Sequence, residues 1–254
     1  MNTHGKRHVL DDALDNFRPD TGNMHQQHTI TQDDVNHFMR GVFWWMLVGL
    51  MLTATVSFGY VIVLQNNLAL QQAHSMVTIV SWLAAFGIVI TLSAAINRLS
   101  SGSALTLYIV YSMLMGLAIS SVLIIYAIDT VFIAFGMAAL FFAIMAIFGY
   151  TTQSDLTSMG RIFTAGLIAL IIAMVANWFI GSDQMTFFIS IAGIAIFCGL
   201  TAYDVQRLKS YYYHHATEDG VEATAKLSVV GALLLYLSLI NLFLFILRLV
   251  GRKN

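Results

Sequence analysis

Seven separated apolar runs fill almost all of the chain after Phe38, at 42–64, 75–96, 104–125, 131–150, 162–180, 185–203 and 229–250. A helix rises 1.5 Å per residue, so about 20 apolar residues cross roughly 30 Å of hydrocarbon. Each run is long enough, and none contains Asp, Glu or Lys; Arg248 is the one charge inside these limits. In lipid every backbone N–H and C=O must be satisfied within the protein, which leaves helices as the form for runs of this length. The expected fold is therefore an all-α membrane protein, a bundle of seven transmembrane helices. Composition agrees: 58% of the residues are hydrophobic and 10% charged, against about 25% charged in soluble domains.

Residues 1–37 are polar and hold His4, His8, His25, His28 and His37. They have no short apolar core with a small-residue cleavage site, so they read as a disordered N-terminal tail rather than a signal peptide. Residues 38–254 form the membrane domain. Thr31-Gln32-Asp33-Asp34 resembles a helix-capping arrangement, so the first helix is expected to begin in water. The net charge of −1 supplies no basic field for nucleic acid. The single cysteine, Cys198, excludes an internal disulfide and reads as a small packing residue.

Lys and Arg set the expected orientation. Seven passes put Lys6, Arg7, Arg18, Arg40, Arg98, Arg161, Arg207, Lys209 and Lys226 on one side, and Arg248, Arg252 and Lys253 on the other. The connections 65–74, 126–130 and 181–184 carry no Lys or Arg. The N-terminus and the even-numbered loops are therefore expected in the cytoplasm. The basic C-terminus pulls the other way and would lie inside if the sixth or seventh run dipped and returned. Both runs are long enough to span, which favours seven full passes.

Several chemistries lack their residues. No span has a lysine for a retinal Schiff base. Ser120 and Ser121 lie in a span, but His74, His214 and His215 fall at boundaries or in loops, away from the serines they would activate. An aspartyl protease needs two carboxylates sharing a proton, and Asp204 has no second acid in a following span. No His and acidic ligands cluster within the runs for a hydrolytic metal. The expectation is that the protein is not an enzyme.

Four residues remain. Arg98 ends the second run, Asp204 ends the sixth, and Ser238 and Asn241 lie within the seventh. Ionisable groups near hydrocarbon are costly and are functional candidates for that reason. The expected topology puts Arg98 and Asp204 at one face, with Ser238 about 14 Å along the seventh helix from Val229.

Three stretches resemble the Bax inhibitor-1 family of membrane proteins, especially its bacterial members. Tyr203-Asp204-Val205-Gln206-Arg207-Leu208-Lys209 looks like the family's sixth-helix signature. Leu235-Tyr236-Leu237-Ser238-Leu239-Ile240-Asn241-Leu242-Phe243, running on to Leu247-Arg248, looks like its last-helix signature. Phe148-Gly149-Tyr150-Thr151-Thr152, followed by Asp155-Leu156, looks like the connection after its fourth helix. The likeness covers about residues 38–252. It implies a seven-helix fold with the last helix at the centre, in a bacterial inner membrane, and a pH-sensitive calcium leak. It also implies that Asp204 is the first of two pore aspartates and that Arg98 latches it when the pathway is closed.

At the position of the second aspartate stands Ser238. Two close carboxylates cannot both ionise cheaply, and that coupling is what makes such a pair pH-sensitive. A serine offers a hydroxyl and no charge. Calcium prefers several oxygens with carboxylates among them. Asp204, Ser238 and Asn241 offer oxygens but one negative charge, a weak calcium site with weakened gating. The expected partners are membrane lipid, calcium or other cations, and other membrane proteins, with no cofactor beyond a calcium ion. The alternative function is a non-conducting regulator of a membrane protease or of a cell-death or stress pathway.

Overall fold

The computed structural model describes residues 31–95 and 99–251, except for the side chains of 93–95 and 214–223. Helix α1 spans Gln32–Gln65, α2 Leu68–Ala95, α3 Ser101–Ile125, α4 Ile128–Thr151 and α5 Thr157–Ile180. The last helical run, Asp183–Val250, contains two membrane-length portions, α6 (Asp183–Tyr213) and α7 (Thr224–Val250). The seven expected spans are thus all present. α1 starts ahead of the expected 37/38 boundary, so residues 32–37 belong to the helical domain; residues 1–30 lie outside the described residues.

The caps show why the helices start where they do. The Thr31 hydroxyl accepts from the Asp34 N–H, and the Asp34 carboxylate accepts from the Thr31 N–H at 2.9 Å. This reciprocal box satisfies two donors that the first turn leaves open. Ser100 and Ser182 cap α3 and α6 through the N–H groups of Ser103 and Met185. Between α5 and α6 the chain reverses at Gly181, whose φ of 70° is left-handed. The Asn177 side chain holds that turn, accepting from Ser182 N–H and donating to the Thr186 hydroxyl.

α6 and α7 form an antiparallel pair. Leu208 packs on Gly231, and further along Phe197 lies near Phe245, ring centroids 5.9 Å apart. α7 also meets α1 through Gly231 and Val42, α3 through Tyr236 with Tyr108 and Tyr111, and α4 through Phe243 and Phe135. Its apolar window is 72% buried, against 6% for α5. A helix that is apolar all round belongs at the centre of a bundle, and α7 lies there. α5 is peripheral; Trp178 and Phe179 at its end are 83% and 80% exposed, on the surface that faces lipid.

Helices in lipid are held by close packing and hydrogen bonds rather than by water exclusion. α1 and α3 approach at Gly116, where an added Cβ would lie 2.7 Å from Val56 Cβ. One turn away, the Thr53 hydroxyl faces the carbonyls of Gly49 and Ser112, each at 2.9 Å, and the Tyr236 hydroxyl at 2.7 Å. A hydroxyl has one proton. Thr53 spends its proton on the carbonyls, so Tyr236 must donate to Thr53. Tyr108 donates to the Trp45 carbonyl. These bonds join α1, α3 and α7 in the bundle interior.

The two faces can be told apart. Gln32 and Asn36 at the start of α1 reach Tyr150 at the end of α4. Phe38 stacks on Tyr212 near the end of α6, centroids 4.4 Å apart. Gly251, after α7, meets Tyr126 in the α3–α4 connection. The two ends of the described chain therefore lie on opposite faces, as seven full passes require.

Three stability outcomes follow, all read by thermal melting in detergent. Tyr236→Phe should cost about 0.6 kcal/mol, the mean for a hydrogen bond between membrane helices. Gly181→Ala should cost about 1 kcal/mol for a side chain in the left-handed region. Gly136→Ala, in open space on α4, should leave the melt unchanged.

Candidate functional site

On α6, Phe197, Thr201, Asp204 and Leu208 recur at helical spacing and share one face. On α7, Gly231, Leu235, Ser238, Leu242 and Phe245 do the same. Leu208 on Gly231 and Phe197 by Phe245 show that these two stripes face each other. Asp204 lies between those contacts, across from residues 235–238. The structure thus brings Asp204 and Ser238 to one seam, within about one helical turn in level.

The environments differ. Asp204 is partly buried, and among the described residues it forms neither a hydrogen bond nor an ion pair. The cation whose charge acts on it is Arg207, one turn along and itself exposed. Ser238 is 3% exposed. Asn241 donates to the Leu237 carbonyl at 2.8 Å, so its amide group is turned to its own helix and its carbonyl oxygen is left as acceptor. Arg98 lies outside the described residues, and so does the expected Arg98–Asp204 latch.

Beyond Asp204, α6 is fastened on three sides. The Gln206 side chain donates to the Ser154 carbonyl at 2.7 Å and accepts from the Leu156 N–H at 2.9 Å, holding the α4–α5 connection. Lys209 donates to the Tyr150 carbonyl at 3.1 Å and sits 4.8 Å from the centre of that ring. Tyr212 stacks on Phe38 of α1. On the outer side of α6, Gly149 lies against the Ala202 backbone and Gly160 under the Tyr203 ring. Asp204 is the carboxylate of this stretch, and among the described residues it has no clasp of its own.

A second polar cluster corrects the sequence reading. His74 was expected in a connection at 65–74, away from any serine. The turn is only Asn66–Asn67, and His74 is well inside α2. Its Nε2 is 3.2 Å from the Ser121 hydroxyl, and its Nδ1 is 3.3 Å from the Tyr60 hydroxyl. Thr78 reaches Ser121 at 3.3 Å. The imidazole therefore ties α1, α2 and α3 together. The polar residues around the turn lengthen both helices past the hydrocarbon, and so the apolar runs understate them. One sequence signal was available. In a tight helical hairpin, residues equally far from the turn face each other, and Tyr60 and His74 are nearly so placed about Asn66–Asn67.

Comparison with known proteins follows the same residues. The family profile described as "Inhibitor of apoptosis-promoting Bax1" matches residues 35–254. An uncharacterized protein of Borreliella burgdorferi is 39% identical over 220 residues, 86% of this chain and 93% of the relative. The inner membrane protein YbhL of Escherichia coli K12 is 37% identical over 220 residues, 85% of this chain and 92% of its own. An uncharacterized protein of Deinococcus radiodurans is 37% identical over 231 residues, 91% and 96%.

Replacing His74 by Ala should loosen α2 from α1 and α3. The expected loss is about 1 kcal/mol for two hydrogen bonds in a membrane bundle, together with faster amide exchange in the first turns of α2. Unchanged exchange there would show that the imidazole bonds carry no weight.

Proposed function

The chain belongs to the Bax inhibitor-1 family, and we propose that it is a cation leak pathway of the inner membrane, with calcium among the ions it passes. The observation that carries this reading is Asp204, a partly buried carboxylate without a protein partner among the described residues, turned toward the central helix. A bare cation in hydrocarbon is costly, and a carboxylate at the end of a span lowers that cost. Asp204 receives the ion, and the Ser238 hydroxyl and Asn241 carbonyl oxygen offer uncharged ligands further along the seam.

Side chains of α6 and α7 touch on both sides of Asp204. Conduction therefore requires the two helices to part. The end of α6 is held by Gln206, Lys209 and Tyr212, so gating works against these clasps. Arg98, by the family resemblance, holds Asp204 when the pathway is closed. The excess of Lys and Arg on the face of the α1 N-terminus supports a cytoplasmic setting for that face. Ser238 supplies no second carboxylate, so a carboxylate pair does not set the pH dependence of the leak.

Purified protein in liposomes loaded with a calcium indicator tests the reading. Asp204→Asn should lower calcium flux at least fivefold without loss of helical content. Ser238→Asp should steepen the dependence of flux on pH, since two adjacent carboxylates cannot both ionise cheaply. That steepening should vanish when Asp204→Asn is added. A parent protein without flux would overturn the leak and favour a non-conducting regulator. Equal pH profiles for parent and Ser238→Asp would remove the carboxylate-pair argument.

A further inference from the structure

Beside the clasp that fixes α6 there is an open cavity of about 560 Å³. It lies between the end of α4, the α4–α5 connection and the last turns of α6. Its walls include Tyr150, Tyr203, Arg207, Lys209 and Tyr211, with Asp155 at one side. That volume is within the usual range for a small-ligand site, about 300–1,000 Å³. We propose that this cavity binds the phosphate-bearing headgroup of an anionic membrane lipid. The reading is independent of ion conduction.

Three observations support a phosphodiester. The first is the cations. Lys209 is held in place by the Tyr150 carbonyl and ring; an ammonium has three protons, so two remain for a ligand. Arg207 is exposed and donates no hydrogen bond among the described residues; its planar fork suits phosphate oxygens. The second is the balance of charge. Asp155 is the carboxylate in the wall, and it is engaged elsewhere. It accepts from the Thr157 N–H at 2.9 Å, and bonds from Thr157 hold its carboxyl below the usual carboxylate range, with Arg161 adding to the effect. The wall holds two cations, of which Arg207 also acts on Asp204, against one committed anion.

The third observation separates a lipid from a soluble phosphate. The cavity is at the end of the spans, where tyrosines sit at headgroup level. α5, whose first residue Thr157 lines the cavity, is largely exposed along the span, with Met159 and Ile162 46% and 68% exposed. A lipid with its phosphate beside Arg207 and Lys209 would keep its acyl chains in the hydrocarbon beside the spans. A free phosphate has nothing to place there.

The test uses the full chain in detergent, with lipid retention followed by native mass spectrometry. Phosphatidylglycerol should be retained over phosphatidylcholine. Arg207→Gln and Lys209→Gln should each lower phosphatidylglycerol affinity roughly fivefold, the usual weight of one basic residue at an anionic surface. Asp155→Asn keeps the acceptor for Thr157 and should raise affinity by a similar factor. This exposed position keeps the proposal testable if Lys209→Gln does not fold. Equal retention of the two lipids would overturn the proposal, as would affinity unchanged by Arg207→Gln and Asp155→Asn. Displacement of phosphatidylglycerol by millimolar inorganic phosphate would also overturn it, since the site would then recognise a soluble anion.

Discussion

A helix wrapped on every side by other helices has no lipid to face, so each of its side chains must fit a protein neighbour. α7 is in that position, and the rest of the bundle is arranged to suit it. α1 gives it a hydroxyl bond, α3 and α4 aromatic edges, and α6 an antiparallel seam. α5 packs outside α6 and has little buried surface. Without water exclusion to pull helices together, such fit and a few hydrogen bonds must supply the stability. The Thr53–Tyr236 bond joins the central helix to α1 and so also to the α1–α3 pair.

The placement of Asp204 follows from the same centrality. A carboxylate on the outer face of α6 would meet headgroups and water. On the inner stripe, with Thr201 and Leu208, it faces α7 instead. The neighbouring polar residues of α6 are engaged: Gln206 with the α4–α5 connection and Lys209 with Tyr150. The end of the helix is thus pinned, while its inward carboxylate has no hydrogen-bond or ion-pair partner among the described residues. Round the helix from that stripe, the exposed Arg207 and the half-buried Lys209 line the cavity beside the α4–α5 connection. On the proposed readings, one helix end would serve both an ion seam and a lipid-binding cavity. A lipid drawn into that cavity would bear on the same turn that holds Asp204.

The number of helices, their approximate limits and their membrane setting were all legible in the chain. Hydrocarbon thickness fixes the length of a span, and the cost of a charge in lipid marks its ends. The Thr31–Asp34 cap was legible as well, because capping depends on neighbours three residues apart. Asp204 and Ser238 stood out because they broke an apolar pattern or a family signature. The family resemblance, rather than periodicity, pointed to the centrality of the last helix. Its all-round apolar character suits the centre of a bundle, but the other spans are nearly as apolar.

Only the tertiary structure decided which hydroxyls meet. Tyr236 and Thr53 are 183 residues apart and Ser121 and His74 are 47 apart; nothing local links either pair. Serine, threonine and tyrosine in a span read as packing residues until the crossing of helices shows which of them touch. The same holds for the seam and the cavity beside the α4–α5 connection, since each needs the rotation of α6 about its axis. That rotation is set by Gly149 against Ala202, Gly160 under Tyr203 and Leu208 on Gly231. The sequence alone determined that the chain must cross the membrane seven times, because hydrocarbon tests each segment separately. Which face of each helix turns inward was decided in the fold, because packing between helices depends on all of them at once.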